Sequence, residues 1–342
     1  MSGIITRATA TTRSSPIPPA PQAPYQGRLQ AAKRQLGNED LWTRATAPIA
    51  LVVLMVVFSI LNPRFLSWPS VTSMLADSTI PIVLALGATF AVTLAGIDLS
   101  LASTVALGSV TMGVAYNAGL PMWFCAFVAL LTGVVVGAFN GAVIGWGRIP
   151  DFIVTLGTMS LVMGVGLITS QGKPVQMPDA SLSFVSVHGI GGIRYNFLIA
   201  IALGIVLHVV LFHTRFGMHL LAVGDNTDAS KAMALRVPRV KLAGYVICGA
   251  MGGVGAILLT SYIGSSQPAT NTDYLLKAIA AVVLGGVSLF GGRATMIGPI
   301  LGAILLTFLQ SGLTLLGVSA FYSPLVIGIV VIAAALLMRG HK

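Results

Sequence analysis

Apolar residues run through this chain in long stretches, which short polar turns separate. Because a helix needs about 20 mainly apolar residues to cross a bilayer, this pattern predicts an all-α polytopic membrane protein with about ten transmembrane helices. The predicted spans are 45–61, 70–95, 101–116, 121–145, 152–170, 196–212, 242–263, 273–290, 294–316 and 321–338. The second span is expected to break between Asp77 and Pro81, where a proline and small polar residues interrupt it.

Two polar stretches outside the spans are interpreted from their composition. Residues 1–44 include the proline-rich run 14–24, which cannot form a hydrophobic core, so we expect a disordered N-terminal tail. This leaves 45–342 as one transmembrane domain. The loop 171–195, on the side of the membrane opposite the tail, contains prolines, glycines and few apolar residues. That composition favours irregular structure or a short hairpin.

Residues 214–241, called the basic segment below, lie between two spans and carry five of the 19 basic residues. We predict a short helix within 225–235, because Asp225, Asn226 and Thr227 are cap-type residues, Asp228 falls in the first turn and 229–235 are mostly good helix formers. Arg236 suits the negative C-terminal end of this helix, and Pro238 is expected to stop it.

Ala229, Ala232 and Met233 fall on one face of the predicted helix. A stiff helix with a small apolar face, presented to water by a protein with many spans, is suited to docking another protein. An ordinary loop helix lying on the membrane surface explains the same pattern, and the spacing alone favours that second interpretation.

The composition and the distribution of charge agree with a membrane protein. The chain of 342 residues is 56% hydrophobic and 8% charged, whereas a soluble domain is about 25% charged. Of the 19 basic residues, all fall on the side of the tail except Arg64, Lys173, Arg194 and Lys277. Because basic loops stay in the cytoplasm, both termini are predicted to be cytoplasmic. The same bias explains the basic charge without nucleic acid as a partner.

The sequence contains no pattern typical of an enzyme. It has neither a GxxxxGK[ST] phosphate-binding loop nor a GxSxG nucleophile motif. His208, His213 and His219 have no cysteine or glutamate nearby to complete a ligand set, so we expect no metal and no cofactor. Few carboxylates lie at membrane depth, which argues against a proton-coupled carrier.

Asp98 is the carboxylate of the short turn between the second and third spans. An aspartate at a bilayer centre costs about 3 kcal/mol, so we place it near the inner boundary. There, Asp98 or Ser100 is expected to accept hydrogen bonds from the free N–H groups of residues 101–103 and so cap the third span. The alternative is that Asp98 senses charge along a pathway or pairs with a basic residue such as Arg293.

Four groups of residues, found in this order, carry a resemblance to a known family. They are GIDLS at 96–100; Asn140–Gly141 followed by IPDFIVTLG at 149–157; the basic segment from TRFG at 214–217 through GDN at 224–226 to Val240–Lys241; and LGGVS at 284–288 with GGR at 291–293 and Gly298. Over about 54–338 the chain resembles the permease subunits of bacterial ribose-type ATP-binding-cassette (ABC) importers, which carry monosaccharides and related small polar solutes.

The resemblance implies a set of partners and a location. Two permease subunits, identical or different, would form a translocation pathway in the bacterial inner membrane. Two cytoplasmic ATP-binding subunits would hydrolyse ATP, and a periplasmic binding protein would deliver the solute, so this chain itself would not be an enzyme. A stand-alone secondary transporter is the alternative. A structural or signalling membrane protein is the third class, although no stretch outside the spans resembles a receptor or scaffold domain.

The resemblance also implies roles for particular residues. It favours docking over the surface-helix interpretation, with the ATP-binding subunit coupled through Gly224, Asp225, Asn226, Asp228, Ala232, Met233 and Arg236. Candidates for the pathway are polar or aromatic residues at membrane depth, and packing between helices explains most of them equally well: Phe90, Thr93, Asp98, Asn140, Thr155, Phe308 and Gln310.

The chain departs from the family pattern at a few positions. Ala102 and Ala294 stand where glycine is usual, and Met233–Ala234 replace a serine–glycine pair. Asp151 occupies a position where a second proline is common. These differences bear on which sugar is carried and leave the expected architecture unchanged.

Overall fold

A computed structural model describes residues 47–269, 272–322, 324–329 and 332. The predicted tail, 1–44, lies outside these residues, as does half of the tenth predicted span. The regular structure of the described residues consists of helices and one two-stranded hairpin.

Most long helices follow the predicted spans, although the helix predicted at 242–263 begins at Val237 and the one predicted at 273–290 ends at Leu284. They are α1 (Ala47–Leu61), α2 (Trp68–Thr93), α3 (Leu101–Asn117), α4 (Met122–Gly147), α5 (Asp151–Ser170), α6 (Ala180–Val187), α7 (Tyr195–His213), α8 (Arg215–Asp225), α9 (Thr227–Ala232), α10 (Val237–Ile263), α11 (Thr272–Leu284) and α12 (Ile297–Leu315). A 3-10 turn, Ala320–Tyr322, and helical residues at 324–329 and 332 follow.

Within the described ranges, six helices are long and apolar enough to cross a membrane: α2, α4, α5, α7, α10 and α12. The prediction of an all-α polytopic membrane protein is confirmed.

The central helix of the bundle is α2, which packs against α7, α10, α11 and α12. The predicted break between Asp77 and Pro81 is wrong, because α2 is continuous from Trp68 to Thr93 with Pro81 inside it. A proline removes one backbone hydrogen bond, but neighbouring helices can hold such a helix together in a membrane protein. Every residue from Ser78 to Thr93 is buried, so packing outweighs the local preference of the proline.

Helices α4 and α10 pack closely through small residues. Gly133, Gly137 and Gly141 repeat every four residues on α4, so they lie on one helix face. A methyl group added at Gly141 would lie 2.7 Å from the Cα atom of Leu242 on α10. Glycine spacing of this kind lets two helix backbones approach within a membrane, where apolar burial alone gives no preference for helix contact.

The loop between α5 and α7 contains the expected hairpin and a helix that was not expected. Strands β1 (Gly189–Ile190) and β2 (Ile193–Arg194) pair antiparallel. The side chain of Asp179 caps α6 by accepting from the backbone N–H groups of Ser181 and Leu182. The hydroxyl of Ser261 near the end of α10 donates a 2.6 Å hydrogen bond to the carbonyl of Leu182, which fixes α6 on the bundle.

Candidate functional site

The basic segment folds into two helices, α8 and α9, and then enters α10. Asn226 caps α9, because its side chain accepts from the N–H groups of Asp228 at 3.0 Å and Ala229 at 2.9 Å. The predicted cap and the place of Asp228 in the first turn are therefore confirmed. The helix ends at Ala232, earlier than predicted, and Ala234 adopts a left-handed conformation with φ of 59°.

The predicted end of this helix was wrong. Pro238 belongs to the first turn of α10, and Arg236 is the N-cap residue of that helix. A proline in the first turn costs no hydrogen bond, because the N–H groups there have no partner within the helix. The sequence alone therefore could not distinguish a proline that stops one helix from a proline that starts the next.

The face that was predicted to dock is open in the structure. Ala229 and Ala232 are exposed, and Met233 is 78% exposed, although it is apolar. Beside them, the ammonium of Lys231 lies 2.9 Å from Asp228, and its hydrogen bond and charge lower the pKa of that carboxyl group. Asp228 therefore stays ionised near neutral pH. The result is a small apolar patch with charged neighbours on a short, well-capped helix.

The end of α8 contacts two other parts of the bundle, and we call this contact the junction. The junction consists of Thr93, Gly224, Asp225, Gly291 and Gly292. Gly292 donates a backbone hydrogen bond of 3.1 Å to the carbonyl of Thr93, the last residue of α2. A methyl group at Gly224 would overlap that same carbonyl, and one at Gly292 would lie 2.7 Å from the Cα atom of Asp225. Backbone contact at these glycines joins the basic segment to α2 and to the turn before α12.

Three of the predicted pathway residues gather at the turn between α2 and α3. Asp98 accepts from the backbone N–H of Ser100 at 2.9 Å and from its hydroxyl at 2.6 Å. Asn140 of α4 donates to the same hydroxyl at 2.8 Å, and Thr155 of α5 donates to the carbonyl of Ile97 at 2.8 Å. Asp98, Asn140 and Thr155 are all buried. Together they join α4 and α5 to the turn.

The expected cap of α3 is not formed. Ser100 is the N-cap residue, but no side chain there accepts from the first N–H groups of the helix. Instead, the Asp98 carboxylate accepts a hydrogen bond from the Ser100 hydroxyl, and that hydroxyl accepts one from the side chain of Asn140. All three side chains are buried. The sequence located this polar group, but the partners of Asp98 depend on α4.

Asp151, one of the departures from the family pattern, connects to the same turn. Its carboxylate accepts a 2.8 Å hydrogen bond from Tyr245 and lies 3.5 Å from the ammonium of Lys241. Both partners belong to α10, and a methyl group at Gly96 would overlap the carboxylate of Asp151 and the hydroxyl of Tyr245. Asp151 therefore fixes the start of α5 on α10, directly beside the turn.

Another predicted residue, Gln310, lines a cavity of about 410 Å³ between α2, α10, α11 and α12. We call it the polar cavity. Asp77 of α2 lines the same space, and Thr93 follows it by 16 positions, which is roughly 24 Å of helix at about 1.5 Å per residue. The polar cavity and the junction therefore lie toward opposite ends of α2. The predicted residues Phe90 and Phe308 are buried in apolar clusters, and neither lines this cavity.

Sequence reasoning did not select Lys277 and Tyr262 as site residues, yet both line the cavity. The signal for Lys277 was present, since a lysine within an apolar helix is unusual and commonly functional. Tyr262 gave no such signal, because a tyrosine near the end of a membrane helix is ordinary.

The apolar helices surround a polar cavity, and an exposed segment packs on the central helix. This arrangement is typical of a membrane transport protein. Comparison with known proteins identifies the family. The model of the branched-chain amino acid transport system / permease component family matches residues 70–335. The chain belongs to this family, and it is a permease component.

Curated relatives agree with this assignment. The chain is 35% identical over 288 residues to the autoinducer 2 import system permease protein of Salmonella typhimurium, which covers 84% of this chain and 83% of the relative. It is 34% identical over 296 residues to the ribose import permease protein of Escherichia coli K12, covering 84% and 91%. The corresponding protein of Haemophilus influenzae is 32% identical over 293 residues, covering 84% and 90%. No solved structure matches the chain.

Proposed function

We propose that this chain is the membrane subunit of an ABC importer and forms the translocation pathway for a monosaccharide or a similar small polar solute. The relatives named for ribose and autoinducer 2 import support this class of solute. The same comparison supports two permease subunits, cytoplasmic ATP-binding subunits and a periplasmic solute-binding protein as the assembly, in a bacterial inner membrane.

The single observation that carries the proposal is the junction. The exposed face of α9 follows Gly224 and Asp225 directly, and these two residues pack on the end of α2 through backbone contacts at Thr93 and Gly292. Protein interiors are closely packed, so they are hardly compressible and transmit strain. An ATP-binding subunit that pushes on α9 would therefore move the end of α2 and the turn that leads into α12.

The proposal gives the coupling role to the basic segment. Ala232 and Met233 would contact the ATP-binding subunit, and Asn226 and Asp228 would keep α9 formed. Gly224 and Asp225 would transmit the movement to the bundle. Arg236, the N-cap residue of α10, is exposed and would take part in the same contact.

We also propose ten spans with both termini in the cytoplasm. Nine helices of the described chain, α1 to α5, α7 and α10 to α12, would be joined by a tenth that includes the helical residues at 324–329. The excess of basic residues on the side of the basic segment supports this orientation. In it, the junction faces the cytoplasm and the polar cavity faces the periplasmic side. The turn that holds Asp98, Asn140 and Thr155 would then lie on the cytoplasmic half of the pathway.

Reconstitution into liposomes tests the proposal. The purified chain alone should hydrolyse no ATP, and the chain with its ATP-binding subunit and binding protein should take up solute only when ATP is supplied. A proton uncoupler should leave this uptake unchanged. Uptake by the chain alone, driven by an ion gradient and abolished by the uncoupler, would show a secondary transporter instead.

A further inference from the structure

The polar cavity is lined by hydrophilic side chains from four different helices. On α2, Ser73 and Asp77 are four residues apart and lie on one face. On α12, Thr307, Gln310 and Thr314 follow the same helical spacing. Serine, threonine and glutamine also occur where membrane helices pack, but here these side chains line an open cavity, so contact between helices does not explain them.

Two side chains of opposite charge lie within this space. Lys277 of α11 is 9% exposed, and Asp77 is half-buried. Charged side chains within membrane helices are costly, and they mark substrate or ion pathways. Among the residues that line the cavity, Asp77 and Lys277 alone carry a formal charge, so the lining has no net charge.

Each charged group is held by a neutral partner from another helix. Tyr262 of α10 donates a 2.7 Å hydrogen bond to Asp77, and Lys277 donates to the side-chain carbonyl of Gln310 on α12. A lysine has three donors and a carboxylate has about four acceptor positions. Both groups can therefore keep these partners and also bind a solute. The arrangement presents acceptors on the α2 wall and donors on the α11 wall.

We propose that the polar cavity is a solute-binding site inside a single permease subunit, which holds a neutral polyhydroxylated molecule of monosaccharide size between Asp77 and Lys277. Hydroxyl groups both donate and accept, so one such molecule satisfies both walls. A solute with a net charge is attracted by one wall and repelled by the other. The volume of about 410 Å³ falls within the range of roughly 300 to 1,000 Å³ typical of small-molecule sites. This inference rests on the import function proposed above.

Solute protection of an introduced cysteine tests the site without depending on transport. Ser311 lines the cavity, and the two native cysteines, Cys125 and Cys248, are buried and give a low background. In cells that contain the full chain, S311C should react with a membrane-impermeant maleimide added outside. D-ribose, D-xylose, D-galactose and myo-inositol are the neutral probes, and D-ribonate is the charged one. At least one neutral probe should slow labelling threefold or more at millimolar concentration, and D-ribonate should not.

Variants of the two charged residues decide whether they form the site. D77N and K277Q, each combined with S311C, should need at least tenfold more of the protecting probe. The matched substitution K173Q, at an exposed lysine in the loop after α5, should leave protection unchanged. Size-exclusion profiles of the solubilised variants identify any that fails to fold. If D77N or K277Q does not fold, Q310L combined with S311C is used in its place. This variant should also need at least tenfold more of the protecting probe.

Three outcomes overturn the site. They are absence of external labelling, absence of protection by every neutral probe, and equal protection in the variants and the parent. Uptake of the same four neutral probes by the reconstituted complex separates this failure from failure of the proposed function. ATP-dependent uptake without protection from labelling would contradict the proposed site in the cavity and agree with the importer assignment. Absence of ATP-dependent uptake contradicts the importer assignment.

Discussion

The hydroxyl of Tyr245 donates a 2.8 Å hydrogen bond to Asp151, and this bond joins the first residue of α5 to α10. The same two groups lie against Gly96, so the turn between α2 and α3 has no room for a larger residue there. Lys241 is 3.5 Å from the carboxylate and balances its charge. The aspartate that departs from the family pattern is therefore part of a three-residue contact at one end of the bundle.

Removing the Tyr245 hydroxyl should weaken this end of the bundle. Y245F leaves the ring in place and removes one donor to a partly buried carboxylate, so the free energy of unfolding should fall by about 1 to 2 kcal/mol. Y322F removes the same group from an exposed tyrosine and should change it by less than about 0.5 kcal/mol. Denaturant unfolding in detergent micelles measures both. Equal effects of the two variants would show that the hydrogen bond to Asp151 contributes nothing to the free energy of unfolding.

Gly224 should tolerate no side chain. The added methyl group of G224A overlaps the Thr93 carbonyl, so either α8 or the end of α2 must move. We expect ATP-dependent uptake to fall at least tenfold per assembled complex, because the junction is the proposed route of coupling.

Gly157 and Gly164 provide the matched control for this substitution. Both are helical glycines of α5 with open space where a Cβ atom would be placed. G157A and G164A should therefore keep uptake within about twofold, and each should favour the helix by up to about 1 kcal/mol. If G224A transports as well as G157A, coupling does not depend on this contact.

A charge on the open face of α9 should uncouple transport without unfolding the protein. Met233 is 78% exposed, so M233D leaves no buried charge and should keep the yield and the unfolding midpoint of the chain. Binding of the ATP-binding subunit should weaken at least tenfold, and A232D should behave in the same way. M233L keeps the apolar surface and serves as the control. Pull-down of the ATP-binding subunit and uptake measure the two effects, and normal coupling in M233D would favour a helix that only lies on the membrane surface.

Asp98 should be replaceable by asparagine but not by alanine. The side-chain carbonyl of an asparagine can still accept from the Ser100 N–H and hydroxyl, whereas D98A leaves a buried donor without a partner at a cost of about 1 to 3 kcal/mol. D98N should therefore keep most uptake per assembled complex, and D98A should assemble poorly. A well-assembled D98N complex without uptake would show that the charge itself is required.

The lengths of the apolar runs determined most of the fold. A helix that crosses a bilayer satisfies its own backbone hydrogen bonds, so the run of apolar residues fixes where it lies. Helices such as α3 and α5 accordingly begin and end within two residues of the prediction. Asn226 was also predictable, because a cap is a contact between residues close in sequence.

Proline positions show where this local reasoning fails. Pro81 lies inside a continuous helix, and Pro238 starts a helix that it was expected to precede. In both cases the residue permits more than one structure. The choice is made by packing of α2 against the surrounding helices and by the entry of the basic segment into α10.

The candidate site depended on tertiary structure more than the fold did. The sequence determined that a membrane permease was present and which polar residues its spans contain. Only the structure placed Asp98 beside Asn140, Asp151 beside Tyr245, and Gln310 beside Lys277. These pairs are separated by 33 to 94 residues, and hydrophobic periodicity carries no information about which helix faces meet. Those contacts are fixed by close approach of the helices at small residues, and this depends on the whole bundle.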